Sequence, residues 1–305
     1  MKFPVLAHAA AVCFVALSAP LALAQVAATP EAKAWHALSD KKDLAGAEKL
    51  CSGWEKSGTH AQQVEAEKCL ANVELARGRQ ASVKGSGVDA ASVGPGFSPQ
   101  AIDKALAHLN RGLALAPADI SLHKGRLFVL GLSGRDAALT AALDDTLTKL
   151  PSPDYLPDWL RYTAQIGASG DAKEALKLLA VLDKHFPDSH EVIGNIGTMY
   201  NIQGLWSQGL PYTKRAAELA PKDTIDTWNL GWAYMHLGEI KLADEWMQKS
   251  IALPGDDQGS ERRCLYAHFV GRDLKQKPRA CAMERRSCAV PDRYDCSAPT
   301  IPHKK

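Results

Sequence analysis

The chain has 305 residues, 46% of them apolar and 23% charged, with 36 Lys and Arg against 34 Asp and Glu. A charge balance so near neutrality argues against a polyanion binder, and no nucleic-acid partner is expected. After the first 24 residues no stretch is long and apolar enough to span a bilayer, so no stable membrane insertion is expected once that segment is removed.

Residues 3–24 are almost uncharged and apolar and end in Ala22-Leu23-Ala24 before Gln25. This is the pattern of a secretory signal peptide cleaved after Ala24, and the small-x-small ending favours it over a membrane anchor of similar length. Cys13 lies inside the apolar run and does not read as an acylation site. A periplasmic or secreted protein is therefore expected. Six further cysteines remain, Cys51, Cys69, Cys264, Cys281, Cys288 and Cys296, an even set that an oxidising compartment would pair.

In residues 25–59, Pro30, Ala34, Trp35 and Leu38 open one helix, and Leu44, Ala47, Leu50, Cys51 and Trp54 form the apolar face of a second at helical spacing. The region reads as a degenerate first repeat or an N-terminal cap. Residues 60–117 hold a helix over 61–77 and its partner over 99–115, with Ser98 as N-cap and Pro99 at the first helical position. Between them, residues 79–97 contain Lys84-Gly85-Ser86-Gly87 and Gly94-Pro95-Gly96, a composition too rich in Gly, Ser and Ala for a helix. The stretch lacks the Gly-Lys-Ser/Thr ending and the preceding strand of a phosphate cradle, so it reads as a surface insertion.

Residues 118–254 predict four tandem units. Pro117, Pro151, Pro187, Pro221 and Pro254 are separated by 34, 36, 34 and 33 residues, and Gly134, Gly170 and Gly204 each stand 17 residues before their proline, with Gly238 standing 16 before Pro254. A period of that size marks a helical repeat array. Each glycine can end a first helix in the left-handed conformation, and each proline follows a second helix that it cannot extend. Small residues at Ala175, Gly197, Gly231 and Ala243 let antiparallel helices approach, while Trp159, Tyr200 and Tyr234 fill the neighbouring gaps. Residues 255–274 predict a capping helix over 259–273 that covers the last exposed face.

The tail, 275–305, is basic and cysteine-rich. Residues 260–305 carry 11 Lys and Arg against 5 Asp and Glu, a net +6, while residues 25–259 carry 24 against 29, a net −5. The tail cysteines are spaced by 17, 7 and 8 residues, without the close pairs of a structural zinc site, so no metal is expected. No cofactor is expected either. There is no Gly-x-Ser-x-Gly turn, no His-Glu-x-x-His and no dinucleotide fingerprint, and His108, His123, His185 and His236 are scattered, so an enzyme is not expected.

Within this frame the segment Trp228-Asn229-Leu230-Gly231-Trp232-Ala233-Tyr234, followed by Gly238, Ala243 and Pro254, resembles the tetratricopeptide repeat. Asn195, Ile196, Gly197, Tyr200, Gly204, Ala216 and Pro221 repeat the order; Trp159, Gly170, Ala175 and Pro187, then Gly134 and Pro151, then Ala105, Gly112 and Pro117 keep parts of it. The resemblance covers residues 99–254. It implies an all-α fold, a right-handed α-solenoid of helix-turn-helix repeats, working as a scaffold that binds a protein or peptide partner in a concave groove. Neighbouring helices pack in such an array, so Cys51 is expected to bond Cys69, contributing on the order of 3 kcal/mol.

By the same resemblance the groove is lined from the first helices, by Lys124 and Phe128, by Glu191, Thr198 and Asn201, and by Trp228, Trp232, Met235 and His236. Burial of Trp228 and Trp232 under the capping helix is the competing expectation. The Lys and Asn pair with which one branch of the family clamps a peptide carboxylate is absent, since the corresponding pairs are Lys124 and Phe128, Leu160 and Ala164, Gly194 and Thr198, and Trp228 and Trp232. Two further readings are an accessory subunit of an envelope secretion, pilus or polysaccharide assembly machine, and an enzyme or metal-binding protein using the cysteine-rich tail.

Overall fold

The computed structural model describes residues 29–85, 96–168, 170–254 and 259–284. The expected signal peptide with its cleavage point, most of the Gly/Ser-rich insertion, the tail beyond Glu284 and Cys288 and Cys296 lie outside the described residues. Among the described residues there are fourteen α-helices, one short 3-10 turn and no strand, so the fold is all-α. The chain divides into two compact units, Met1–Tyr155 and Leu156–Lys305.

The first unit holds α1 (Pro30–Asp40), α2 (Leu44–Ser57), α3 (His60–Gly85), α4 (Pro99–Leu115), α5 (Ile120–Leu132) and α6 (Asp136–Lys149). Their starts are written locally: Thr29 Oγ1 accepts the Ala32 N–H, Asp43 that of Gly46 and Ser98 that of Ala101, with prolines at the openings of α1 and α4. Trp35, Ala47, Cys51, Ala66, Cys69, Leu70 and Val73 form one buried cluster in which α1, α2 and α3 meet. The Cys51–Cys69 disulfide runs through it and joins α2 to α3, with Cα atoms 6.3 Å apart.

One expectation is corrected here. α3 continues through Gly85, so the first part of the 79–97 insertion is helical. Arg79, Gln80, Ala81 and Lys84 are good helix formers, and the glycines that dominate the insertion's composition begin only at Gly85.

The second unit holds four hairpins: α7 (Leu156–Ala168) with α8 (Ala172–His185), α9 (His190–Ile202) with α10 (Trp206–Leu219), α11 (Thr224–His236) with α12 (Ile240–Ala252), and α13 (Gly259–Arg272) with α14 (Lys277–Glu284). Gly170, Gly204 and Gly238 take φ of +102°, +74° and +80° at the turns, as Gly134 does at +63° in the first unit, the left-handed region that other residues rarely enter. Close helix approach explains two more glycines. A Cβ on Gly197 would meet Thr213 Cγ2 at 2.7 Å, and one on Gly231 would meet Met247 Cγ at 2.8 Å.

The last hairpin closes the unit. Tyr266, Phe269, Val270 and Ala280 pack with Trp228, Ala243 and Met247 in a second buried cluster. Tyr266, Asp244 and Arg279 form a hydrogen-bonded latch across α12, α13 and α14. Cys264 and Cys281 are each disulfide-bonded.

Candidate functional site

In the second unit α7, α9 and α11 are the first helices of successive hairpins, and α9 packs against both α7 and α11. The face shared by α9 and α11 has three zones in order from the helix N-termini to the C-termini. The first is acidic. His190 Nδ1 lies 2.7 Å from Asp226 Oδ2, and His190 Nε2 lies 3.2 Å from Glu191 Oε1. Asp223 caps α11, its Oδ1 accepting the N–H groups of Ile225 and Asp226 at 2.8 Å each. Asp226 is only 6% exposed, and Gly194 makes room for it, since a Cβ there would stand 2.5 Å from Asp226 Oδ1.

Burial pushes the Asp226 carboxyl up to about 6; the His190 hydrogen bond opposes the rise, and the charges of Asp223 and Glu191 add to it. Glu191 goes the other way. Burial raises it, but the Ser189 hydroxyl, its own backbone N–H and His190 together hold it below the usual carboxylate range. Among the described residues no Lys or Arg pairs with Asp223, Asp226 or Glu191, and the His190 imidazole contacts both Asp226 and Glu191. Donor atoms of His190, Asp223 and Asp226 lie within 4.8 Å of one another, with His190 Nδ1 in hydrogen-bond contact with Asp226.

The middle zone is made of amides. Asn195 on α9 and Asn229 on α11 are 34 residues apart and both half-buried. Asn195 Nδ2 donates to the Glu191 carbonyl at 2.7 Å, and Asn229 Nδ2 approaches Thr198 Oγ1 at 3.5 Å. Neither side-chain amide oxygen is engaged by another described residue. Thr198 itself donates to the Gly194 carbonyl at 2.9 Å.

The third zone is aromatic. His236, at the end of α11, lies flat on Trp206 at the start of α10, with ring centroids 3.8 Å apart and planes 1° apart. Trp232 meets the same imidazole edge-on at 5.4 Å. Ile202 and Leu205 beside Trp206 are each 39% exposed, and Met235 is half-buried. Burial of the ring first, and the nearby Arg272 charge second, hold the His236 imidazole below its usual value. It is therefore a neutral aromatic plate at physiological pH.

No family profile matches the chain, and no curated protein matches it. Solved structures do. They include the C-terminal part of a TPR repeat-containing protein from Cytophaga hutchinsonii, at 12% identity over 83% of this chain and 93% of that one, with a TM-score of 0.48. Pseudomonas aeruginosa pilF matches at 11% identity over 72% of this chain and 90% of its own, with a TM-score of 0.41. YrrB, a TPR protein with an unusual peptide-binding site, matches at 15% identity over 66% and 95%, with a TM-score of 0.37. Likenesses this low carry no weight for function. The chain's own 34-residue frame, left-handed turn glycines and small-against-large helix contacts decide the architecture. The fold is tetratricopeptide-like.

The tetratricopeptide-like frame placed the expected groove residues unevenly. Glu191 and His236 are exposed and Thr198 is half-buried on α9 and α11, while Trp232 and Met235 are half-buried against the cluster that the last hairpin closes. Two are corrected. Trp228 is 8% exposed and belongs to the cluster under Tyr266 and Phe269, because the last hairpin covers it. Asn201 is buried against Gly209 of its own hairpin partner α10, whose missing side chain leaves the room. Lys124 and Phe128 are half-buried on α5 in the first unit, with the Lys124 ammonium 5.7 Å from the Tyr155 ring centroid. His190, Asn195, Trp206, Asp226 and Asn229 were not among the expected groove residues. The repeat frame could have found the amides, since Asn195 and Asn229 are 34 residues apart and hold the same place in successive units, but it carries no signal for His190, Asp226 or Trp206.

In the first unit a second histidine–carboxylate cluster joins three helices. Buried Glu67 of α3 accepts from Arg111 Nε at 3.0 Å and contacts His108 Nδ1 at 2.7 Å, and Arg111 also reaches Glu55 of α2 at 3.6 Å. Here burial raises the carboxyl, but His108 and the Arg111 guanidinium outweigh it and hold Glu67 below its usual range. That arginine satisfies the charge internally, so the cluster reads as a structural tie.

Proposed function

We propose that the protein is a scaffold whose α9–α11 face holds an extended segment of a protein partner. The observation that carries this is the pair of free amide oxygens at Asn195 and Asn229 on adjacent helices, placed to receive the N–H groups of a peptide laid across them. On either side the face offers something a side chain can use. Glu191 and Asp223 give a cation a partner at one end, and Trp206, His236 and Ile202 give an aromatic or aliphatic group a flat apolar ledge at the other. From Ile225 to His236 the helix rises about 16 Å, the length of about five extended residues. The segment that fits has a basic residue at one end and an aromatic residue at the other.

The disulfides bear on where this happens. Cys51–Cys69 and the bonded Cys264 and Cys281 belong to an oxidising compartment, which supports the periplasmic or secreted location read from the leader. No helix among the described residues is long and apolar enough to cross a membrane.

The test is an array of synthetic peptides pairing Lys or Arg with Trp, Phe or Tyr about five residues away, probed with the mature chain and with Asn229→Ala and Trp206→Ala. Binding by the parent chain that weakens in both variants, with helix content retained, supports the reading. Equal binding by all three chains sinks it.

A further inference from the structure

The last described residue is Glu284, and the closing hairpin fixes where it stands. Ser250, near the end of α12, donates its hydroxyl to the Thr224 carbonyl at 2.7 Å, which puts that end beside the start of α11. Arg263, near the start of α13, donates to the Ile251 carbonyl at 3.5 Å. At the other end of α13 the Arg272 charge is felt by His236, so α13 runs in the same direction as α11. Its partner α14 turns back: the Gln276 N–H donates to the Val270 carbonyl at 3.0 Å, and Arg279 bonds Tyr266. The chain therefore leaves α14 at the level of Ile225, the N-terminal end of the α9–α11 face. Ile225 is the most exposed large apolar side chain among the described residues, at 57%.

Resting on the peptide-binding reading above, we propose that the first occupant of this face is the chain's own tail, residues 285–305, and that an outside partner binds by displacing it. Length allows it. From α14 across α13 to α11 is two helix spacings, about 20 Å, which about six extended residues cross. That leaves residues 291–305, three times the five or so that the face holds. Charge favours it as well. Residues 285–305 carry five Lys and Arg against two Asp, a net +3, while residues 25–259 carry a net −5. The chemistry of the segment also corresponds to that of the face. Arg293, Lys304 and Lys305 bring cations, Tyr294 and Ile301 bring an aromatic and an aliphatic group for the ledge at Trp206 and His236, and the backbone between them brings N–H groups for the Asn195 and Asn229 oxygens.

Tethering makes a weak segment an effective competitor. A short flexible tether holds its segment at an effective concentration in the millimolar range. A tail with a Kd of about 0.1 mM would then fill the face about ten times as often as it left it empty. An outside peptide would meet an apparent affinity weaker by the same factor.

The experiment uses the full mature chain with every cysteine kept. In one arm p-benzoylphenylalanine replaces Tyr294, and crosslinks formed on irradiation are mapped by mass spectrometry with and without an excess of the best-binding peptide of the array. In the other, the affinity for that peptide is compared between the parent chain and Arg293→Ser combined with Tyr294→Ser. Crosslinks to α9 or α11 that the peptide suppresses, and affinity about tenfold tighter in the double variant, are the expected results. Crosslinks confined to α13, α14 and the tail, or an affinity that the double variant leaves unchanged, overturn the tail as occupant and leave peptide binding standing. No peptide bound by either chain overturns both.

Discussion

The two units each bury a carboxylate beside a histidine where hairpins meet, and the outcomes are opposite. Glu67 has the Arg111 guanidinium and is held below the ordinary carboxylate range, whereas Asp226 has only His190 and is raised to about 6. A fixed cation turns a buried acid into a lock that stays ionised; a titratable neighbour leaves it exchanging protons in the mild-acid range. Position supports the contrast. Glu67 also sits next to the covalent staple of α2 and α3, and Asp226 sits on the face with free amides.

The largest effect should come from cutting that staple. Replacing Cys51 and Cys69 with alanine should lower stability by about 3 kcal/mol, seen as an earlier denaturant midpoint that added reductant no longer shifts for this bond. Next, Arg111→Met should convert the lock into something like the second-unit pair. Glu67 should then titrate above its ordinary range by NMR, and stability at neutral pH should drop by about 2 kcal/mol, since Arg111 is partly exposed. A variant in which Glu67 stays low would mean that His108 suffices, and the comparison would fail.

Asp226→Asn tests the other side. The folded value near 6 lies above the ordinary 3.8, so the native chain holds an extra proton between those values and its stability falls as pH rises through about 6. Removing the charge should raise stability at about pH 7.5 by about 1 kcal/mol, with the gain vanishing toward about pH 4. A loss at neutral pH would show that the His190 hydrogen bond outweighs the desolvation. The smallest effect is expected from His236→Ala, about 0.5 kcal/mol for the lost stack on Trp206, with thermal melts nearly superimposed.

Much of the fold was legible because its punctuation is chemical. Gly204 and Gly238 are needed for φ values that other residues avoid, and Pro187 and Pro221 stand where a helix must end, so the period survives any drift in the residues between. The long α3 was misread because glycines and serines after Gly85 diluted the helix formers before it. The site was half legible. His236 and Trp232 stand out by type, but Trp228 is buried and Trp232 half-buried against the same cluster, settled only by Tyr266 and Phe269 folding back over it. His190 and Asp226 are ordinary residues in their own helices. They gain chemistry only when two hairpins bring them to 2.7 Å, a distance that no local pattern encodes.

The turn glycines have one more consequence. A Cβ added at Gly170, Gly204 or Gly238 meets nothing within 4 Å, so each bend is dictated by backbone angle and owes nothing to a neighbouring side chain. Such a turn works wherever it is placed. The chain can accordingly be edited in whole periods: excising residues 187–220 joins α8 directly to Pro221, leaves Gly134, Gly170 and Gly238 at their own bends, and yields a shorter molecule that lacks α9 and α10 and keeps its grammar.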